Sequence, residues 1–200
     1  VDGLYLGDYY VKEISPSVGY LADETEHDLV CNYEGDLVAE VKRDCTSLEQ
    51  VMKQPFQIIK AANNGKTDAD LLKGAGFTAY LESSLTKKAD GSYDFDSATP
   101  VVIGENGATE MFTDEKGYAC SIALPYGTYI VRETTTPHNY TPVDDFTVRI
   151  TENNPNQPQT WRVLLDDEFE AKLKIIKQDD ETKKPVLQKN TEFKIYDLDH

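Results

Sequence analysis

Two short motifs each occur twice in this sequence, at nearly the same large interval. GDYYVKEISPSVGY begins at residue 7 and GTYIVRETTTPHNY at residue 127. FQIIK begins at residue 56 and LKIIK at residue 173. A repeat of about 115–120 residues has the size of a whole domain, whereas one turn of a solenoid has 20–50 residues. The chain is therefore expected to contain domain-sized units in tandem.

The order of the motifs predicts where these units begin and end. The motif at residue 7 is typical of the end of a unit, and the motif at residue 56 of its start. We therefore predict one complete repeat over 51–168, with the C-terminal part of a preceding repeat over 1–50. The N-terminal strands of a following repeat are predicted over 169–200, as in a fragment of a longer array.

Hydrophobic alternation of period 2 predicts an all-β fold. Gly- and Asp-rich turns separate the alternating segments, and no segment has a clear helical period. Many short strands joined by regular turns favour an antiparallel β-sandwich of the prealbumin or immunoglobulin type. The clearest strands are FTAYLES (77–83), YACSIAL (118–124), YIVRE (129–133), DFTVRI (145–150) and WRVLL (161–165).

Charge and cysteine content exclude several classes of function. The chain has 20 Lys and Arg against 36 Asp and Glu, a formal net charge of −16. Such a surface repels nucleic acid and anionic membranes, so neither is an expected partner. The three histidines are scattered and no C-x-x-C occurs, so no metal site or cofactor is expected. Cys31 and Cys45 could pair, or could remain free thiols like Cys120.

Strand parity predicts one lysine and one glutamate in the core of each repeat. Alternate residues share a strand face, so Lys60 shares its face with Phe56 and Ile58. By the same rule, Glu133 shares a face with Tyr129 and Val131. In the partial repeats, Glu13 and Lys177 hold the equivalent positions.

Burial gives such a pair a specific chemistry. A lone buried charge must pair or become neutral, and burial favours the neutral amine and the protonated acid. A neutral amine is a nucleophile, and a protonated glutamate beside it can move protons. With an Asn or Asp side chain nearby, an amide bond between side chains can form.

The segments YIVRETTTPHNY and QIIKAANNGK…LLKGAGFTAYL resemble two motifs of Cna B-type domains, also called SpaA-like or prealbumin-like domains. These occur in surface adhesins and pilins of Gram-positive bacteria. The resemblance implies a β-sandwich whose first and last strands are joined by a self-formed isopeptide bond. It also implies that Lys60 is the amine and Glu133 the proton shuttle.

The sequence departs from the family at the acceptor of this bond. The family usually has Asn near the end of the last strand, which here is WRVLLDDEFEAK (161–172) and has none. Asp can replace Asn, with loss of water in place of ammonia. Parity favours Asp167, and a one-residue bulge would favour Asp166. If Leu165 corresponds to the family Asn, only an ion pair of Lys60 forms.

Two functions of different class follow from these observations. The first is a stalk or spacer repeat of a cell-wall-anchored adhesin or pilus, extracellular and contacting adjacent repeats. The second is a module that binds a host matrix protein or glycan through loops 84–100 and 151–160, which would need exposed aromatics such as Tyr93 and Phe95. Neither is an enzyme beyond single-turnover self-crosslinking. The two partial repeats are also expected to complement each other between neighbouring molecules.

Overall fold

The computed structural model describes residues 1–66, 70–169, 172–187 and 191–196. The chain divides into two compact units, Val1–Phe169 and Glu170–His200. The first unit is built of strands, with two short 3-10 turns at Glu82–Ser84 and Glu105–Gly107. The prediction of an all-β fold is confirmed. In the described part of the chain, no helix is long and apolar enough to cross a membrane.

The first 54 residues contribute five short strands. They are β1 (Gly7–Val11), β2 (Tyr20–Leu21), β3 (His27–Cys31), β4 (Gln50–Val51) and β5 (Lys53–Gln54). β1 and β3 form an antiparallel hairpin, and β2 pairs with β4.

Ten further strands build the sandwich over residues 57–167. They are β6 (Gln57–Asn63), β7 (Gly76–Leu81), β8 (Thr86–Lys87), β9 (Tyr93–Asp94), β10 (Glu110–Phe112), β11 (Tyr118–Cys120), β12 (Leu124–Pro125), β13 (Gly127–Thr135), β14 (Phe146–Ile150) and β15 (Arg162–Asp167). One sheet has the order β10–β7–β13–β14, and the other has the order β11–β6–β15.

The core lies between these two sheets, where alternate side chains of each strand point inward. Fully buried apolar residues include Phe56, Ile58, Phe77, Ile103, Val131, Val148 and Ile150. Gly76 marks a crowded point, because a Cβ there would lie 2.8 Å from Thr135 Cβ on the neighbouring strand. The apolar positions of the sequence pattern thus form one contiguous core.

One strand pair departs from the antiparallel arrangement that the sequence predicts. β15 runs parallel to β6, with Lys60 opposite Leu164 and Ala62 opposite Asp166. The alternation of side chains does not encode strand direction, so the sequence pattern is the same for either arrangement. The first and last long strands of the sandwich are therefore neighbours that point the same way.

Residues 1–50 are hydrogen-bonded to the sandwich through the segment 51–54. The Met52 N–H donates to the Gly19 carbonyl at 2.8 Å, and the Met52 carbonyl accepts from the Tyr126 N–H at 2.8 Å. The predicted boundary between 50 and 51 thus lies inside the first unit. The three-part division of the chain remains a prediction.

The second unit is described over 172–187 and 191–196. Its described residues include one isolated bridge, between Gln178 and Pro185, and no longer strand. Leu173, Ile175 and Ile176 are exposed to solvent. The remaining predicted positions of this repeat, at 170–171, 188–190 and 197–200, lie outside the described residues.

Candidate functional site

Three charged side chains meet in the core of the sandwich. Lys60 Nζ lies 2.7 Å from Glu133 Oε2 and also forms an ion pair with Asp166 Oδ1. All three side chains are completely shielded from solvent. Burying an ammonium group with two carboxylates costs desolvation free energy, so such a cluster is weak evidence for stabilisation. It is instead a candidate functional site.

Strand parity places two of these residues. Phe56 and Ile58, which share the face of Lys60, are fully buried on the β6 side of the core. Glu133 lies on the same face of β13 as Val131, which is also fully buried. Lys60 and Glu133 come from different sheets and meet across the sandwich, as both lie on inward faces.

The favoured acceptor, Asp167, does not face Lys60. Asp167 is exposed and accepts a hydrogen bond from Asn63 Nδ2 at 2.6 Å, whereas Asp166 is 1% exposed and contacts Lys60. The preference for Asp167 was wrong because the face shared by Val163 and Leu165 is the outer face of β15. β15 pairs with β6 in unbroken register, so no bulge is involved.

The carboxyl group of Asp166 is protonated more readily than that of an ordinary aspartate. The pKa of Asp166 is raised to about 6. Burial is the main cause; the Glu133 carboxylate also raises this pKa, and Lys60 partly opposes both effects. Glu133 Oε1 and Asp166 Oδ2 are buried without a hydrogen-bond partner. Burial without a partner for Oδ2 is consistent with the raised pKa of Asp166, since it disfavours the charged carboxylate.

Three further groups support the site, and sequence analysis had singled out none of them for it. The Val143 N–H donates to Glu133 Oε2 at 3.0 Å and fixes that carboxylate. The Phe77 ring centroid lies 5.6 Å from Lys60 Nζ, within range of a cation–π interaction. Gly117 accepts the Lys60 N–H at 2.7 Å. The sequence could have indicated Phe77, because it aligns with Phe193 in the repeat. The Val143 N–H is a backbone donor, which leaves no signal in the sequence.

The remaining sequence candidates lie apart from this site. Tyr93 and Phe95 are half-buried and pack edge to face, and the Arg132 guanidinium lies 3.7 Å from the Phe95 ring centroid. Cys31, Cys45 and Cys120 are free thiols. Among the described residues, no group of His, Cys, Asp and Glu is arranged to hold a metal ion.

The equivalent residues of the partial repeats lack the full triad. Glu13 Oε2 accepts the Asp23 N–H at 2.6 Å, and no described lysine pairs with Glu13. Lys177 is exposed, and its Nζ donates to Thr191 Oγ1 at 3.2 Å.

The fold and the site describe a β-sandwich domain with a lysine and two carboxylates in its core. Comparison with known proteins identifies its family. The SpaA prealbumin-like fold domain matches residues 55–162. The chain belongs to this family. No curated protein matches the chain.

Several solved structures are similar to this chain. The Bacillus anthracis TIE protein is 27% identical with a TM-score of 0.51, over 81% of this chain and 25% of that protein. The minor pilin GBS52 of Streptococcus agalactiae is 15% identical with a TM-score of 0.48, over 88% of this chain and 66% of that one. The major pilin BcpA of Bacillus cereus is 21% identical with a TM-score of 0.38, over 60% of this chain and 31% of that one. This chain thus spans a quarter of the TIE protein.

Proposed function

We propose that this chain is a structural repeat in the stalk of a Gram-positive surface adhesin or pilus, stabilised by an amide bond between Lys60 and Asp166. The observation that carries the proposal is the buried contact of Lys60 with both Asp166 and Glu133. Membership of the SpaA prealbumin-like family supports the proposal, because solved structures similar to this chain include pilins. An extracellular location and contact with adjacent repeats follow from the same assignment.

The proposed reaction balances without any cofactor. An ammonium and a carboxylate condense to an amide and one water, so no oxidant or reductant is needed. Glu133 takes a proton from the Lys60 nitrogen, and the neutral amine attacks Asp166 Cγ. The nitrogen then loses a second proton to one oxygen of Asp166, which becomes a hydroxyl, and Glu133 returns its own proton to this hydroxyl, which departs as water. All three side chains are shielded from solvent, so bulk water does not compete with the amine for Asp166 Cγ.

The bond would have a mechanical consequence because of strand direction. β6 and β15 lie side by side and parallel, so pulling the start of β6 away from the end of β15 shears the pair. A bond between Lys60 and Asp166 carries that force directly from the first strand to the last. It also closes a loop across a separation of 106 residues, which by analogy with disulfides stabilises the fold by about 4–5 kcal/mol.

The structure gives less support to the ligand-binding alternative. It required exposed aromatics in loop 84–100, but Tyr93 and Phe95 pack against each other, and Phe95 also packs against the Arg132 guanidinium. The loop 151–160 borders a groove lined almost entirely by polar side chains, with Gln54, Asn154 and Gln159 among its residues. None of the described residues that line the groove is aromatic, whereas aromatic side chains are frequent anchors of interfaces.

The test is the intact mass of the protein under denaturing and reducing conditions. We expect the mass to fall short of the sequence value by one water. The variants Lys60→Met and Glu133→Gln should each have their full calculated mass, because one lacks the amine and the other the proton shuttle.

Lys73→Met is the matched control, since Lys73 is an exposed lysine that pairs with Glu115 on the surface. It should retain the water deficit. A full mass in the unmodified protein would reduce the site to a buried ion pair and would remove the covalent part of the proposal.

A further inference from the structure

The segment 141–143 contacts both carboxyl-bearing strands of the buried site. The Thr141 N–H donates to the Asp167 carbonyl at 2.9 Å, and Thr141 Oγ1 donates to the same carbonyl at 3.2 Å. Two residues later, the Val143 N–H donates to Glu133 Oε2 at 3.0 Å. Asp167 directly follows Asp166 in β15, so three consecutive residues connect the acceptor strand with the Glu133 carboxylate.

The chain just before this segment also holds the end of β15. Tyr140 forms an antiparallel bridge with Glu168, and the Phe169 N–H donates to the Asn139 carbonyl at 2.8 Å. Together with the Thr141 bonds, these contacts form a short ladder directly after Asp166. The last residues of β15 are therefore held by β6 and by this ladder together.

Pro142 makes the connection to Glu133 stiff. The proline ring fixes φ near about −65°, and the residue before a proline, here Thr141, is restricted to extended conformations. The Val143 side chain is partly buried and packs against the core, so the other end of the segment is held as well. A short, stiff segment that is anchored at both ends transmits any displacement of β15 to the Glu133 carboxylate.

The same contacts determine which acid faces the lysine. The Asp167 side chain accepts a hydrogen bond from Asn63 Nδ2 at 2.6 Å on the outer face, while its carbonyl accepts from Thr141. Adjacent residues of a strand point to opposite faces, so holding Asp167 outward keeps Asp166 inward. Asp166 then stays in contact with Lys60.

We propose that Thr141 is a positioning residue of the crosslinking site. Its two hydrogen bonds hold the end of β15, and Pro142 and Val143 carry that position to Glu133, which keeps Asp166 and the proton shuttle together. These bonds reach a backbone carbonyl rather than a reacting atom, so Thr141 acts through the spacing of groups that must lie within hydrogen-bond reach. The inference rests on the proposed function, because it assigns Thr141 a role in that reaction.

The first test is the rate at which newly made protein loses water. The full chain is synthesised in a short pulse in a cell-free system and quenched in acid at successive times, and its intact mass is measured. Thr141→Val keeps the shape and the backbone N–H but removes the hydroxyl donor, so we expect a reaction about three- to tenfold slower. Thr141→Ser restores the donor and should restore most of the rate. Thr147→Val is the matched control, since Thr147 lies on β14 in the other sheet, and it should leave the rate unchanged.

The second test is hydrogen exchange at the Val143 amide, which can be measured whether or not the crosslink forms. In Thr141→Val this amide should exchange at least about threefold faster, while the Val131 amide in the core keeps its protection. Thr141→Ser should exchange at Val143 like the unmodified protein.

The two tests distinguish failure of the positioning role from failure of the crosslink. A full mass in the unmodified protein at every time would contradict the proposed function, and exchange at Val143 would then decide alone whether Thr141 holds the segment. Where water is lost, an unchanged rate in Thr141→Val would overturn the positioning role. Equal slowing in Thr147→Val or in Thr141→Ser, or unchanged exchange at Val143, would overturn it as well.

Discussion

Lys60 and Asp166 lie on adjacent parallel strands and meet diagonally across them. Lys60 is opposite Leu164 in the ladder, so Asp166 lies two residues further along β15 and on the same inward face. The long lysine side chain spans this offset and reaches the carboxylate in the core. The contact therefore depends on the register between β6 and β15. In this register, Asp166 is the acidic residue of β15 that faces inward within reach of Lys60.

Asp166→Asn is expected to change the leaving group of the crosslink and nothing else. An amide acceptor loses ammonia where an acid loses water, so the mass deficit should become that of ammonia. Asp167→Asn should keep the water deficit, because Asp167 is exposed and bonded to Asn63. Intact mass of the two variants distinguishes them, and an ammonia deficit in Asp167→Asn would contradict the assignment.

The sequence could place Lys60 and Glu133 but could not choose between the two acids. Phe56 and Ile58 share the face of Lys60, and Tyr129 and Val131 share that of Glu133; all four are buried, so parity gives the right face for both residues. In β15, Val163 and Leu165 are apolar yet exposed, and Trp161 stacks edge to face with Tyr118 on the outer surface. Parity shows which residues share a face, whereas packing against the second sheet decides which face is buried.

Removing the lysine should make stability depend on pH near the titration of Asp166. The pKa of Asp166 is already raised to about 6, and loss of the Lys60 cation raises it further. The folded state then binds a proton more tightly than the unfolded state, so the stabilising effect is present at low pH and is lost as pH rises through the folded pKa.

We therefore expect the Lys60→Met variant to be about 3–5 kcal/mol less stable at pH 8 than the same variant near pH 5, whereas the proposed crosslink is absent from it at both pH values. Urea unfolding across this range measures it. The double variant Lys60→Met with Asp166→Asn is the control, since an amide stays neutral, and its stability should vary much less with pH. A variant that is equally unstable at both pH values would indicate lost packing rather than a buried charge.

Gly117→Ala should disturb the site through the backbone of Lys60. Gly117 has a φ of +64°, and an added Cβ would meet the Lys60 carbonyl, which accepts the Leu72 N–H at 2.9 Å. We expect a destabilisation of about 2–3 kcal/mol, from strain at positive φ and from the displaced strand. Gly91→Ala is the control, because Gly91 has a φ of +87° but open space around it. Urea unfolding measures the free energy of unfolding of both variants. If both lose the same amount, backbone strain alone explains the effect and the contact with the Lys60 carbonyl contributes nothing.

Gly19→Ala should loosen the joint between residues 1–50 and the sandwich. Gly19 has a φ of +88°, and its Cα lies against the Tyr126 ring, where an added Cβ would clash. The same glycine accepts the Met52 N–H at 2.8 Å, so displacing it also breaks the hydrogen bond that fixes the linker. A stiff joint transmits force along a stalk without bending, and this glycine allows the close contact.

Hydrogen exchange at the Met52 amide measures the effect. We expect exchange at least about tenfold faster in Gly19→Ala, while amides in the core of the sandwich such as Val131 keep their protection. Gly35→Ala provides the comparison, since Gly35 has a φ of +119° and nothing within 4 Å of an added Cβ. It should leave Met52 unchanged. Faster exchange at Val131 in Gly19→Ala would mean that the substitution unfolds the sandwich rather than opening the joint.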